Sequence, residues 1–337
     1  MNQRDTALDI IRLLACFMVV LMHSPMPLVN ANGPFLAAMS YFMAPCIGLF
    51  FMVSGALLLP VKTDYFTFLR RRFGKISPPT VVWSLIYIVL RLYYSESEID
   101  ILQAIVSIPF SVQGEGVLWF MYTLCGLYLL APILGGWLDR ATKREVEFVI
   151  LLWAVTLCYP LLKLWFNIND SDAGMLYYFN GYAGYFLLGY YLKRYSGSIS
   201  AWISGGIALT GAVLLFATKK YGINLDFYSV FWYLSIFVSA LCALLWTIIS
   251  KAVNEMNFSD NAARQISLMA NLSFGVYLVH ILVMRYWLWR QEWILSISNY
   301  IYQTIVIAVL AITVSIALGL IIAKSPVGNY LIGYRIK

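Results

Sequence analysis

Residues 301–323 read IYQTIVIAVLAITVSIALGLIIA, and this stretch decides the fold class. It contains no charged residue and is long enough, as a helix, to cross the hydrocarbon core of a bilayer, which requires about 20 apolar residues. A run of this length and composition is typical of a membrane span. The stretch therefore predicts a transmembrane helix.

The rest of the chain has the same character. Of its 337 residues, 61% are hydrophobic and 12% are charged, and the mean hydropathy is +0.77. Soluble domains carry about 25% charged residues, so these charges are too few to cover a soluble surface of this size. The composition excludes a soluble enzyme, a disordered protein and a typical nucleic-acid binder. Because there is no repeat and no inter-domain linker, we expect one membrane domain over residues 1–337.

Ten apolar stretches are long enough to span, which predicts an all-α polytopic membrane protein with a bundle of about ten helices. Three glycines, Gly181, Gly184 and Gly189, interrupt the sixth stretch, but small residues also allow close helix packing in lipid. The predicted spans are Ala7–Ser24, Phe35–Leu59, Lys75–Tyr93, Val117–Gly135, Phe148–Phe166, Leu176–Leu192, Ala201–Ala217, Phe231–Ile249, Leu268–Trp289 and Ile301–Ala323.

The distribution of positive charge predicts the orientation. With an even number of spans, both termini lie on one side, and 16 of the 23 lysines and arginines fall in the loops of that side. The positive-inside rule therefore places both termini in the cytoplasm of a cell membrane. The net charge of +7 then reflects this orientation and not an acidic partner such as nucleic acid.

All five cysteines fall inside predicted spans. They show neither CxxC nor metal-ligand spacing, so we interpret them as packing residues and expect no metal. They are Cys16, Cys46, Cys125, Cys158 and Cys242.

Three ionisable residues, Asp9, Arg12 and His23, lie in the first span, where the burial of such groups in lipid is costly and usually functional. Arg12 and His23 are eleven residues apart, which on a helix is about 20° around the axis and roughly 16 Å along it. They therefore share one face. The structural alternatives are that Arg12 is an inner-interface anchor paired with Asp9 and that His23 is an interfacial residue at the outer end.

The only other histidine lies in the ninth span. Ser273, Tyr277 and His280 follow one another at helical spacing, which places them on a single stripe near mid-membrane. The structural alternative is that His280 is a buried packing residue that hydrogen-bonds Tyr277 or a neighbouring backbone carbonyl.

Four cations precede the third span in a segment that we expect to form a cytoplasmic loop. Clustered guanidinium groups bind phosphates through bidentate hydrogen bonds, so this segment is a candidate phosphate site. A topology determinant that contacts anionic headgroups is the alternative. The following Pro78 and Pro79 are expected to set the angle at which the loop re-enters the membrane. The basic cluster comprises Arg70, Arg71, Arg72 and Lys75.

Two further patches carry polar groups. Ser54 and Gly55 offer a hydroxyl and a close backbone approach in the second span, or else ordinary helix packing. Glu115, at the outer end of the fourth span, is either a solvated loop acid or a carboxylate that orients His23 and raises its basicity.

Together these motifs resemble the acyltransferase-3 family of multi-pass membrane acyltransferases over most of the chain. The stretches that carry the resemblance are Arg12-x10-His23, the FFMVSG of residues 50–55, the RR-x-x-KI-x-PP of residues 71–79, the LWF of residues 118–120 with the later YLL-x-P, and the S…YLVH of residues 273–280. Lys75 stands where an arginine is common, and Val117 where some relatives have a histidine.

The resemblance implies a reaction. An acyl group, expected to be acetyl, would move from cytoplasmic acyl-CoA to a hydroxyl of an extracytoplasmic glycan or lipid-linked sugar. The basic cluster would hold the CoA phosphates, His23 would take the hydroxyl proton, and Arg12 would stabilise the developing charge or position the donor. Tyr277 and His280 would orient the acceptor or relay a proton. Whether transfer is direct or passes through acyl-His23 or acyl-Ser54 is left open.

Two other classes remain as alternatives. A secondary transporter or flippase of a glycan or small polar substrate would also place polar residues near the midplane, but it needs no cytoplasmic phosphate site. A membrane scaffold would not need its intramembrane polar residues at all. Membrane lipid and a second copy of the chain are further expected partners.

Overall fold

In a computed structural model of the protein, residues 5–26, 33–94, 100–166, 174–197, 199–223 and 225–336 are described. These residues form helices and connecting turns, with no strand among them, which confirms the all-α prediction. The α-helices are α1 (Thr6–His23), α2 (Pro34–Met43), α3 (Pro45–Leu58), α4 (Tyr65–Tyr94), α5 (Ile101–Ser107), α6 (Trp119–Leu138), α7 (Lys143–Leu157), α8 (Tyr159–Phe166), α9 (Ala183–Arg194), α10 (Ala201–Tyr221), α11 (Phe227–Val230), α12 (Ile236–Glu255), α13 (Asp260–Tyr286), α14 (Glu292–Leu295), α15 (Tyr300–Lys324) and α16 (Gly328–Ile332). Short 3-10 helices cover Gly116–Leu118, Tyr177–Phe179 and Leu288–Arg290.

Each of the ten predicted spans is helical, but two of them are not straight helices of full length. In the described part of the chain, eight helices or continuous helix pairs are long and apolar enough to cross a membrane. The predicted fifth span is bent by 49° between α7 and α8. The predicted sixth span is wrong in length, because α9 has only 12 residues and extends about 18 Å at 1.5 Å per residue.

Helix α15 shows the pattern of a helix whose large apolar residues face lipid. Several of its polar and small residues, such as Thr304 and Ser315, are buried, whereas Ile305 and Val309 are about half exposed. In a soluble protein the distribution would be reversed, since water favours polar residues outside. The stretch that decided the fold class therefore turns one face with polar and small residues toward the protein and large apolar residues away from it.

The basic cluster lies on a helix and not in a loop, so the prediction of a loop was wrong. Helix α4 runs without interruption from Tyr65 to Tyr94, and Pro78 and Pro79 lie inside it. Proline removes backbone donors and normally bends or ends a helix. Here the side chains on both sides of the prolines are packed, with Ile76 and Trp83 buried, and this packing holds the helix together.

By its internal contacts the described chain divides into two compact units. The first contains the described parts of residues 1–22, 27–60 and 133–267, and the second those of 23–26, 61–132 and 268–337. The second unit therefore includes His23, the last residue of α1, together with most of α4 and α13.

In the first unit, α3 and α9 pack with their backbones in contact. A Cβ atom placed on Gly55 would lie 1.8 Å from the carbonyl oxygen of Phe186, and one on Gly189 would lie 1.9 Å from that of Met52. No residue larger than glycine fits at either position. Of the glycines in the predicted sixth span, Gly189 therefore serves close helix packing, as the sequence suggested, and Gly184 lies against the Trp153 ring, whereas Gly181 has open space around it.

In the second unit, α4 is joined to α13 and α16 by aromatic side chains that donate to backbone carbonyls. The Trp83 indole donates to the carbonyl of Leu331 at 2.8 Å, and the Tyr87 hydroxyl donates to that of Leu278 at 2.6 Å. The Tyr87 bond places the C-terminal half of α4 beside the C-terminal half of α13, where His280 lies.

Candidate active site

Helix α1 carries the three ionisable residues predicted for the first span. It covers Thr6–His23, so Arg12 lies in its first half and His23 is its last residue. Asp9 is buried, whereas Arg12 and His23 are half-buried. The prediction that Arg12 and His23 share one helix is confirmed.

The two histidines of the chain meet in the second unit. The rings of His23 and His280 are 5.2 Å apart between centroids and are inclined at 63° in an edge-on arrangement. His280 has no exposed surface. Motif spacing could not have shown this contact, because the residues lie in the first and the ninth predicted spans.

One nitrogen of His280 is tied to its own helix. Its Nδ1 atom lies 2.5 Å from the carbonyl oxygen of Tyr277, one turn earlier. This is the hydrogen bond expected if His280 is a buried packing residue. The other nitrogen, Nε2, is buried and has no hydrogen-bond partner, so packing alone does not account for the choice of histidine here.

Tyr277 and Ser273 lie on the same helix as His280, as predicted. The Tyr277 hydroxyl donates to the carbonyl oxygen of Val117, and its ring lies 5.3 Å from that of Phe120. The Ser273 hydroxyl donates to the carbonyl of Ala270 at 2.8 Å. Tyr277 therefore links α13 to the start of the LWF segment.

Glu115 is buried and paired, so the alternative of a solvated loop acid was wrong. One carboxylate oxygen accepts from the Arg285 guanidinium at 2.6 Å, and the other accepts from the Tyr286 hydroxyl at 2.7 Å. The role of Glu115 in orienting His23 stays a prediction. Sequence reasoning missed Arg285 and Tyr286 as partners, because they lie about 170 positions away and no local pattern connects them.

The cations of the basic cluster lie on the N-terminal part of α4. Arg70, Arg71 and Lys75 are exposed, while Arg72 is half-buried and its guanidinium lies 5.7 Å from the ring centroid of Phe68. Three exposed cationic groups and one guanidinium held against an aromatic ring, all within six residues of one helix, can bind a phosphorylated ligand. The spacing of four residues between Phe68 and Arg72 indicates this contact only when the segment is taken as a helix, and the expectation of a loop therefore missed it.

The first turn of α4 is capped by Asp64. The Thr67 backbone amide donates to the Asp64 carboxylate at 2.9 Å. This hydrogen bond lowers the pKa of the Asp64 carboxyl below its ordinary value, and the positive charge of Arg71 acts in the same direction. The cap therefore carries a negative charge at neutral pH and holds the start of the helix on which the cations lie.

The length of helix α4 gives the distance between the basic cluster and the histidine pair. Arg72 and Tyr87 are 15 residues apart on it, which corresponds to about 22 Å at 1.5 Å per residue. Because Tyr87 is hydrogen-bonded to Leu278, it lies at the level of the histidine pair. A ligand bound at the cluster would need a long, thin arm to reach the histidines.

Ser54 and Gly55 have the surroundings of packing residues. The Ser54 hydroxyl donates to the carbonyl of Phe50 in its own helix at 2.9 Å, and Gly55 lies against the backbone of Phe186. These contacts are the ones expected if both residues serve ordinary helix packing. A catalytic role for Ser54 stays a prediction.

The structure also shows the state of the cysteines and how the possible metal ligands are grouped. None of the five cysteines forms a disulfide bond, and three of them, Cys16, Cys46 and Cys242, are buried. Within the described ranges, no three histidine, cysteine, aspartate or glutamate side chains come together as a group that could hold a metal ion.

Comparison with known proteins supports the assignment that the motifs suggested. The model of the acyltransferase-3 family, described as an acyltransferase domain, matches residues 5–323 and so covers nearly the whole chain, including parts of both units. Neither the curated proteins nor the solved structures contain a match. The chain belongs to the acyltransferase-3 family and is a membrane acyltransferase.

Proposed function

We propose that the protein transfers an acyl group, acetyl in the simplest case, from cytoplasmic acyl-CoA to a hydroxyl of an extracytoplasmic glycan or lipid-linked saccharide. The observation that carries the proposal is the pairing of His23 with buried His280 in the unit that also bears the basic cluster. Acid–base chemistry and anion binding are the two capacities that acyl transfer from a CoA thioester requires.

The basic cluster is the proposed donor site. The phosphates of CoA cannot enter hydrocarbon, so they must stay at the membrane surface while the pantetheine arm reaches inward. The distance of about 22 Å between Arg72 and Tyr87 along α4 suits a donor with a charged head and a long, uncharged arm. The half-buried guanidinium of Arg72 is the proposed anchor of the phosphates, and its exposed neighbours add charge.

His23 is the proposed general base. Its imidazole takes the proton of the acceptor hydroxyl while the hydroxyl oxygen attacks the thioester carbonyl. The carbon–sulfur bond then breaks, and the CoA thiolate leaves and takes the proton back from the imidazolium. The step yields an ester and CoA, and it consumes no oxidant, reductant or net proton.

The remaining candidates have supporting roles in this proposal. Arg12 stabilises charge on the thioester oxygen or on the leaving thiolate, or positions the donor. Tyr277 and Glu115 hold the outer part of the site through their bonds to Val117 and Arg285. Ser54 and His23 are the candidate acyl carriers if transfer proceeds in two steps.

The proposal includes a location. The excess of lysine and arginine in alternate loops favours a cell membrane with both termini in the cytoplasm, which puts the basic cluster on the side where acyl-CoA is made. Acyl-CoA, the saccharide acceptor and membrane lipid are the proposed partners. A homo-oligomer is consistent with the proposal but is not required by it.

The direct test uses the full-length protein in lipid nanodiscs, with acetyl-CoA as the donor probe. Two quantities are measured, the binding of radiolabelled acetyl-CoA and the transfer of label to a glycolipid extract. We expect His23→Ala to bind acetyl-CoA normally and to lower transfer by about 10²-fold or more, because it removes the base and not the donor site. Arg72→Ala should instead weaken acetyl-CoA binding by about tenfold.

The matched control is Arg140→Ala, which removes an exposed arginine predicted to lie on the same side of the membrane but outside the cluster. It should change neither quantity. If the wild-type protein neither binds acetyl-CoA nor transfers its label, the proposal is wrong. If proteoliposomes instead take up a saccharide without acetyl-CoA, the transporter alternative is correct.

A further inference from the structure

We infer that His280 is the positioning residue of His23. Its bare Nε2 atom accepts the hydrogen bond of the His23 ring N–H and stabilises the imidazolium that forms during transfer. The inference rests on the proposed function, because it assigns a partner to the proposed base. It begins from the hydrogen bonds of His280 and not from its place in a motif.

The tautomer of His280 follows from its contact with Tyr277. A carbonyl oxygen can only accept a hydrogen bond, so the Nδ1 atom that lies 2.5 Å from the Tyr277 oxygen must carry the proton. A neutral imidazole has one proton on its ring nitrogens, and Nε2 is therefore a lone-pair acceptor. A second proton would place an unpaired charge inside the protein, which is costly.

This acceptor is the feature that packing does not explain. The Nε2 atom is fully buried and has no hydrogen-bond partner, and a buried polar group without a partner is uncommon and destabilising. An apolar side chain at this position would avoid that cost. The retained lone pair indicates that a donor reaches it in some state of the protein.

His23 is the group that can supply this donor. Its ring lies 5.2 Å from that of His280 between centroids, in the same compact unit. The bond to Tyr277 prevents rotation of the His280 ring, whereas His23 is half-buried at the end of α1. At this centroid separation, a turn of the His23 ring can bring one of its nitrogens within hydrogen-bond distance of Nε2, so the bond can form in the protein without substrate.

His23 and His280 differ in exposure, and this difference assigns the base to His23 and the positioning role to His280. His280 has no exposed surface, so a substrate hydroxyl cannot reach it, while the half-buried His23 remains accessible. His280 therefore acts through His23. The arrangement serves the same end as a carboxylate behind a catalytic histidine, because it selects one tautomer of the base and stabilises its charged form.

A neutral partner suits this location better than a carboxylate. Glu115, the carboxylate of this region, already accepts from Arg285 and Tyr286. A second buried carboxylate beside His23 would need a counter-charge of its own. An imidazole supplies a strong acceptor and adds no charge to the interior.

The chain has only two histidines, which makes a direct spectroscopic test feasible. The full-length protein is labelled with ¹⁵N in its histidine rings and studied by NMR in nanodiscs without substrate, and His23→Gln assigns the two sets of signals. We expect His280 to show a protonated Nδ1 and a bare Nε2, and His23 to occupy a single tautomer. In His280→Leu, His23 should become a mixture of tautomers, and His280→Gln, whose amide oxygen can accept, should restore the single form.

The kinetic arm uses acetyl-CoA and the glycolipid extract. His280→Leu should lower kcat by about 10²-fold and leave the KM for acetyl-CoA unchanged, and His280→Gln should recover about tenfold of that loss. Thr304→Val is the matched control, because it also removes a buried, unpartnered polar atom in the second unit. It should leave transfer and both histidine spectra unchanged.

A protonated Nε2 on His280, or a His23 spectrum that His280→Leu does not alter, would overturn the inference even if acetyl transfer is observed. Equal losses in His280→Leu and His280→Gln would also overturn it, since only a structural role predicts them. If no variant binds or uses acetyl-CoA, the proposed function fails, and the spectra still decide whether the two histidines are coupled.

Discussion

One helix pair in each compact unit shows a different kind of contact: α3 with α9 in the first unit, and α4 with α13 in the second. In the first unit, α3 and α9 approach so closely that Gly55 and Gly189 touch the backbone of the neighbouring helix. In the second unit, α4 and α13 are joined by hydrogen bonds from large side chains such as Tyr87, and a charged pair, Glu115 with Arg285, is held nearby.

This difference shows where each unit is sensitive to change. A contact between backbones leaves no space for an added atom, so it fails by steric overlap. A contact through hydrogen-bonded side chains tolerates small changes of volume but fails when one partner is removed, because the other is left buried and unsatisfied.

The largest effect should come from added volume in the first unit. Gly189→Val places atoms less than 2 Å from the Met52 carbonyl oxygen, so α3 and α9 must separate. We expect no folded protein to be recovered in detergent, as measured by size-exclusion chromatography and tryptophan fluorescence. Gly206→Ala is the control, because a Cβ atom there meets nothing within 4 Å, and it should leave the protein folded. A folded Gly189→Val protein would contradict the proposed basis of packing in this unit.

An intermediate effect should come from loss of a charged partner in the second unit. Arg285→Met removes the charged partner of the buried Glu115 carboxylate and leaves the Tyr286 hydroxyl as a donor to it. We expect a loss of about 1–3 kcal/mol in the free energy of unfolding, since Arg285 is partly exposed. Thermal unfolding in detergent measures this loss as a lower Tm.

Removal of both charges sharpens the same prediction. The double variant Glu115→Gln with Arg285→Met should unfold at a higher temperature than Arg285→Met alone, because no unpaired charge remains buried. Arg290→Met, which removes an exposed guanidinium over the Tyr94 ring, should lower the Tm only slightly. A double variant less stable than Arg285→Met would show that the pair does not act as a unit.

The smallest effect should come from the surface cap of α4. The hydrogen bond from Thr67 lowers the pKa of the Asp64 carboxyl, so the cap stabilises the helix start above the ordinary pKa of aspartate and loses this effect as the pH falls through its own lower pKa. Asp64→Ala should therefore reduce the hydrogen-exchange protection of the Thr67 amide at neutral pH, and the difference from wild type should vanish in acid. Asp64→Asn keeps an acceptor that does not titrate, so its protection should not depend on pH in this window. A difference between wild type and Asp64→Ala that persists in acid would contradict the prediction.

Local sequence patterns predicted a structural feature correctly where its physical cause lies in the same stretch of chain. The run of apolar residues in 301–323 predicted a span because only a helix satisfies its backbone groups in lipid, and helix α15 confirms it. The spacing of Arg12 and His23 predicted a shared helix for the same reason. The sixth span was misjudged because hydropathy does not report whether an apolar helix faces lipid or, as in α9, lies almost wholly buried within the protein.

The errors at α4 have a related cause. Two consecutive prolines predict a break, because proline lacks a donor and hinders the preceding turn. The continuous helix depends on packing by residues such as Trp83, which bonds to Leu331 far along the chain. No pattern within α4 contains that information.

The sequence by itself determined the membrane class, most of the helical spans, the position of the cationic segment in the chain and the few ionisable residues within apolar stretches, because each follows from the cost of placing polar or charged groups in hydrocarbon. Only the tertiary structure decided which of those residues meet. The pairing of His23 with His280, and of Glu115 with Arg285 and Tyr286, joins residues far apart in the chain. Such contacts arise from helix packing as a whole, in which each helix satisfies the buried polar groups of another.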